Sequence, residues 1–327
     1  LERLRLLPTI RDMPRYAAIA VLALGADYAE AWSANGLRLA ARQRAAPAQM
    51  AIAVDEKSEP LKFVTLKNSK GDSAKLYHFG ACATSYVKGG VESLAVRPDA
   101  KMDGSKPISG GIPFCFPQFG PGVIQQHGFA RNVDWTLAES TDGDEPSVTF
   151  TLEPTDYTKA MWDYPFACKY TVTLKADRLA TEFSVSNTGT AGSFDFAAAL
   201  HTYWAVSDID KVTISGAFDG ATYLDKMQDP PARVKASGND ITISGEVDQV
   251  YAGVSGAVDV CDAASKRRIT VGNGIGWEDT VLWSPYGNEG MGYKNFVCVE
   301  SAKADSTVTL GPGEYWTASM DVVPSAL

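Results

Sequence analysis

Beyond residue 60 the chain alternates apolar and polar residues with a period of two, and no apolar pattern of helical period and length interrupts it. Ser147-Val148-Thr149-Phe150-Thr151-Leu152 is one such run, and residues 170–174, 179–186 and 315–323 repeat the pattern. Shorter stretches at 63–66, 212–214, 241–243, 258–260, 269–271, 296–299 and 307–310 are rich in β-branched residues and bounded by Gly, Asn, Asp or Pro. Successive side chains of a strand point to opposite faces, so each run offers one face to a core. Many evenly spread strands without intervening helices exclude a parallel α/β fold. They predict an all-β protein, a large antiparallel β-sandwich or barrel. The 29 glycines suit the turns this requires. With 327 residues, 45% hydrophobic and 21% charged, the chain can bury a large core.

Residues 1–54 read differently. They hold seven Arg, no Lys and four acids, a net charge of +3, which leaves −12 for the remainder of a chain whose total is −9. A basic, Ala-rich, acid-poor segment is similar to an organellar transit peptide. A signal-peptide core at the apolar run 16–24 and a helix packed on the body are the competing readings. Residues 55–60 read as a polar linker, which divides the chain into a leader, 1–54, and a strand-rich body, 60–327. The sequence pI of about 4.9 argues against a nucleic-acid partner. The absence of any run of about twenty apolar residues argues against a spanning helix and a membrane partner. Five widely spaced cysteines without a CxxC pair suit free buried thiols.

The sequence has no GxSxG elbow, no Walker loop and no HExxH. Its three histidines, His78, His127 and His201, are too far apart to spell a metal site, and no metal or cofactor is expected. Three segments set polar groups among aromatics. The first runs from Ser109-Gly110-Gly111-Ile112-Pro113 through Phe116-Pro117-Gln118-Phe119-Gly120 to Gln126-His127-Gly128-Phe129-Ala130-Arg131-Asn132. Its prolines and glycines predict a loop rather than regular sheet. The second is His201-Thr202-Tyr203-Trp204. The third is Trp283-Ser284-Pro285-Tyr286, with Asn295-Phe296-Val297-Cys298-Val299-Glu300-Ser301-Ala302 after it. Glu300 shares the parity of Phe296 and Cys298, so it faces their side, where a carboxylate needs a partner or a task.

These segments, in this order and over roughly residues 60–325, resemble the glucose-6-phosphate 1-epimerases of the aldose 1-epimerase superfamily. The resemblance implies a galactose-mutarotase-like β-sandwich and an isomerase of hexose 6-phosphate anomers. It casts His201 as the acid at the ring oxygen and Glu300 as the base at the C1 hydroxyl. It casts Asp248, in Val247-Asp248-Gln249-Val250-Tyr251, as a sugar contact, and Gln126 and Arg131 as substrate-binding residues, Arg131 near the phosphate. Many relatives carry Arg immediately before Gly-Gly-Ile-Pro, where this chain has Ser109; a guanidinium fork is replaced by one neutral hydroxyl. Lys101 and Lys106 lie upstream as candidate replacements. Ser at this position resembles the plant and algal branch of the family, which points the leader towards the plastid. The expected partner is a small-molecule sugar or sugar phosphate, and a monomer is the working assumption.

Anomer exchange needs one group to take the C1 hydroxyl proton while another protonates the ring oxygen. A histidine suits the acid because its ordinary pKa lies near neutrality, and a carboxylate suits the base. Trp204, Trp283 and Tyr286 are candidate platforms for a sugar ring. Two readings compete: a sugar-binding or regulatory protein on the same scaffold, and a glycoside hydrolase using Asp248 and Glu300.

Overall fold

The computed structural model describes residues 53–55 and 60–327. Nearly all of the expected leader, and residues 56–59 of the expected linker, lie outside the described residues. Ala53–Asp55, at the junction of the two, pair antiparallel with Phe63–Lys67.

The expected all-β architecture is present, as three sheets of five, nine and eight strands whose ladders are all antiparallel. Among the described residues the one α-helix is a single turn, Asp156–Lys159, closed by reciprocal Thr155 and Thr158 caps. No described helix is long and apolar enough to cross a membrane.

The nine-stranded sheet shows the period-two signal most cleanly. Phe166–Leu174 and Leu179–Asn187 both alternate buried with exposed or half-buried residues along their length. Tyr170, Val172, Phe183 and Val185 therefore point into the core. The eight-stranded sheet supplies the opposite wall with Phe196, Leu200, Val297 and Val299. Each fully buried Phe or Leu side chain contributes about 1.5–3 kcal/mol.

Two sequence readings need correction here. The runs at 296–299 and 307–310 are one strand, Phe296–Leu310, which crosses a solvent-exposed stretch without breaking. The Gly-Pro segment is also not wholly irregular. Phe114–Cys115 forms a short strand against Ala199 and Leu200. Phe114 stacks on Trp135 at 5.2 Å and meets Tyr170 edge-on at 4.7 Å. Phe116 packs beside Phe196 at 5.4 Å. The loop is thus pinned to the core by its aromatics. Gly111 has φ +71, and a Cβ there would lie 2.0 Å from the Ala83 carbonyl oxygen. The close approach of the loop to that strand therefore requires glycine.

The five cysteines are free, four of them buried and Cys261 half-buried.

Candidate active site

Register places the candidate acid beside the candidate base. In the ladder between Phe194–Leu200 and Phe296–Leu310, the pairing slips between Phe196 and Ala198. After the slip Leu200 pairs with Ser301, and Tyr203 pairs with Cys298. The same register carried across the gap sets His201 opposite Glu300. Side-chain bonds hold that gap closed: the Thr202 hydroxyl and the Trp204 indole N–H both donate to the Val299 carbonyl. On the far side of Glu300 the ladder continues to Val281, and that of Cys298 continues through Trp283 to Asp248. Two rungs, Val281–Glu300–His201 and Asp248–Trp283–Cys298–Tyr203, therefore tile the outer face of the sheet. The inner face carries the core. Glu300 faces the side of Phe296 and Cys298, as its parity predicted.

Above this floor lies a cleft of about 640 Å³, a size that admits a small molecule. His201, Glu300, Asp248, Gln126 and Arg131, the five residues singled out from the sequence, all line it. His201 Nδ1 is 3.2 Å from Glu300 Oε1. No hydrogen bond forms between them: His201 Nδ1 and Glu300 Oε2 are buried with no hydrogen-bond partner among the described residues. Buried polar atoms are seldom left unpaired, so these two mark a place built to meet a polar ligand. Tyr203 stacks parallel to the His201 ring at 5.0 Å, while Trp283 and His127 meet it edge-on at 5.6 and 5.5 Å. Three rings fix the imidazole plane.

Burial sets the proton affinities. It pushes His201 well below the ordinary imidazole value, and repulsion from the Arg131 and Lys226 charges adds to the effect. Desolvation therefore moves this imidazole away from the near-neutral value expected of a histidine. Burial likewise pushes Glu300 well above the carboxylate range, opposed chiefly by the Lys226 charge. Burial thus disfavours the charged form of each.

Asp248 is ion-paired with Lys226, Nζ to Oδ1 at 3.2 Å. Lys226 also sits 4.6 Å over the Phe119 ring. Arg131 lies on a short 3₁₀ turn, Ala130–Asn132, and its Nη2 donates to the Gln126 carbonyl at 3.0 Å. Its Nε is buried without a partner among the described residues. Gln126 itself is exposed at the rim.

Sequence reasoning misses several residues of the site. His127 anchors its loop: its Nδ1 accepts the Gly120 N–H at 3.1 Å and lies 3.1 Å from Cys115 Sγ. An accepting Nδ1 leaves the proton on Nε2. Burial, then Arg131 and Lys226, push its pKa down to about 3, so His127 is a neutral donor lining the cleft. Lys226 and Arg97 also line it. His127 stands inside a quoted motif, which is a signal that could have found it; Lys226 and Arg97 carry no sequence signal. Conversely, Trp204 is wholly buried in the core and offers no sugar platform. Tyr286 is absent from the cleft lining and donates to Asp210 at 2.8 Å. Trp283 alone of the three lines the cleft.

The ligand-type atoms of His201, Cys298 and Glu300 lie within 4.8 Å of one another. Burial and the neighbouring Glu300 push the Cys298 thiol well up, so it stays protonated and forms part of the floor.

With this geometry in hand, the chain can be set beside known proteins. The sequence pattern of the aldose 1-epimerase family matches residues 62–322. A protein of Cenchrus ciliaris, provisionally named a glucose-6-phosphate 1-epimerase, is 32% identical over 290 residues, covering 81% of this chain and 86% of its own. An Escherichia coli protein with the same provisional name is 36% identical over 216 residues, covering 61% and 69%. Among solved structures, a provisionally named mutarotase from Salmonella typhimurium superimposes with a TM-score of 0.74 at 24% identity, covering 84% of this chain and 97% of its own. That similarity shows a shared fold.

Proposed function

Because the chain belongs to the aldose 1-epimerase family, its chemistry is the interconversion of sugar anomers, and we propose that its substrate is a hexose 6-phosphate, glucose 6-phosphate first. The observation that carries the reading is the buried His201–Glu300 pair, 3.2 Å apart, with an unpartnered polar atom on each side chain at the floor of the cleft. In the reactive form the pair carries one proton, on His201, with Glu300 ionised, so it offers one donor and one acceptor. Glu300 takes the C1 hydroxyl proton as the C1–ring oxygen bond breaks, and His201 gives a proton to the ring oxygen. The open-chain aldehyde rotates about C1–C2 and both transfers run in reverse, so each residue regains its starting state. Donation by His201 needs its protonated form, which burial disfavours. The neighbouring Glu300 carboxylate is the group that offsets that penalty during turnover.

Asp248, the His127 Nε2–H and Trp283 line the cleft, which supports the first two as partners for sugar hydroxyls and the third as an apolar face for the ring. Arg97 and Arg131 bring positive charge to the cleft beside the Lys226–Asp248 ion pair, which supports a phosphorylated substrate and is the basis for preferring it over a free hexose. The hydrolase alternative is less well supported, because Asp248 is already neutralised by Lys226. The test follows α-to-β exchange of glucose 6-phosphate and of glucose by NMR. Acceleration of neither over buffer refutes the enzyme reading and favours a sugar-binding protein.

We also propose that residues 1–54 are an organellar address, with the plastid preferred. Seven arginines with no lysine support it. N-terminal sequencing of the natural protein tests it, and retention of residues 1–50 sinks it.

A further inference from the structure

A second hollow of about 350 Å³ adjoins the cleft, lined by Arg97, Asp99, Lys101, Lys106, Pro107 and Ser109. Arg97 and Ser109 line both spaces, so the two meet at that pair. The annex holds three cations against one carboxylate. It lies in a region of the chain, beyond residue 54, that carries −12 overall. A locally basic hollow in an acidic protein is a place for an anion.

Backbone pairing explains why Arg97 and Ser109 share the mouth. Val96 bridges Gly110, and the Arg97 N–H donates to the Ser109 carbonyl at 2.9 Å. Residues 97 and 109 are thus neighbours on adjacent stretches of chain. A guanidinium rooted at 97 serves the same mouth as one rooted at 109. Arg97 Nε and Nη2 donate to Asp99 at 2.9 and 2.5 Å. The Arg97 side chain is largely buried, whereas that of Asp99 is 45% exposed. Asp99 is therefore the more accessible partner and the one that an incoming dianion can displace. The proton-transfer pair fixes C1 and the ring oxygen at His201 and Glu300, so a charged substituent must lie towards the other end of the sugar.

We propose that Arg97 is the specificity-determining residue for the substrate phosphate. It takes up from the neighbouring stretch of chain the part that Ser109 cannot play, with Lys101 and Lys106 behind it and Asp99 as the competing anion. The inference rests on the hexose 6-phosphate reading and assigns that reading's charge recognition to a residue.

The test measures kcat/KM by NMR exchange and affinity by calorimetry, for glucose 6-phosphate and for glucose. Arg97→Gln is expected to weaken glucose 6-phosphate by about 10–100-fold, the range for a lost charge-assisted contact, and glucose at least tenfold less. Asp99→Asn is expected to lower KM for glucose 6-phosphate without a matching gain on glucose. Adding Ser109→Arg to Arg97→Gln is expected to restore the preference. Equal losses on both sugars in Arg97→Gln, or no loss, overturn the assignment and leave the substrate reading standing. A wild-type protein that treats the two sugars alike overturns the substrate reading and this proposal with it. If Arg97→Gln does not fold, Asp99→Asn decides, and an unchanged ratio between the sugars refutes the proposal.

Discussion

Replacing Glu300 by glutamine separates the two demands placed on this residue. The amide keeps the volume of the acid, so no cavity opens at a position that is 1% exposed. What is lost is the ability to accept the C1 hydroxyl proton. General bases contribute typically 10²–10⁴-fold, so kcat is expected to fall by that factor, or about 3–5 kcal/mol of barrier. Stability should move the other way. Burial raises the folded-state pKa of Glu300 above its unfolded value near 4.5. A raised carboxylate contributes stability that is full below the unfolded value and lost as pH rises through the folded one. Each unit of the shift amounts to about 1.4 kcal/mol. The amide cannot ionise, so Glu300→Gln should gain on the wild type as pH rises from 4.5, by about 2–4 °C in Tm per kcal/mol. The assays are anomer exchange of glucose 6-phosphate by NMR and thermal unfolding at a series of pH values. Retention of more than about a tenth of wild-type kcat, with protein shown to be folded, would refute the base assignment. A Tm difference that does not grow with pH would refute the argument from burial.

His201→Asn should lose kcat over the same range of about 10²–10⁴-fold, and its stability profile should differ from that of the Glu300 variant. The depressed His201 value contributes stability that is present above about 6.5 and lost as pH falls through the folded value, so this variant gains on the wild type towards acid; a pH-independent difference contradicts it. Lys226→Met removes the main charge that lowers Glu300. The acidic limb of kcat/KM should then move to higher pH; an unmoved limb shows that Lys226 does not act on Glu300. Gly128→Ala should destabilise by more than about 1 kcal/mol in chemical denaturation, since φ is +70 and the new Cβ would lie 2.1 Å from the Phe116 carbonyl oxygen. An unchanged midpoint would show that the loop can relax.

Most strands of the nine-stranded sheet were legible because their alternation is a local property, with one face on the core and one towards water; Thr136–Thr141, exposed on nearly every residue, was not. Phe194–Leu200 and Asp279–Ser284, in the site sheet, were not. The first is an Ala-rich run and the second is buried on nearly every side chain, so neither shows a period. Trp204 was misjudged as a platform because parity says which residues share a face but not whether that face meets the core or the cleft.

The sequence by itself determined the all-β class and the loop built from glycines and prolines, because periodicity and turn residues are written along the chain, and its resemblance to a family pointed to five of the residues that line the cleft. Only the tertiary structure decided that His201 stands opposite Glu300, since a register slip between their two strands sets that meeting. It alone brought Arg97 to the mouth beside Ser109, through a bridge between stretches with no regular pattern. It also moved the proton affinities of His201 and Glu300 away from their ordinary values. Burial is a property of the whole assembly of sheets, and desolvation there outweighs what either side chain would do in water.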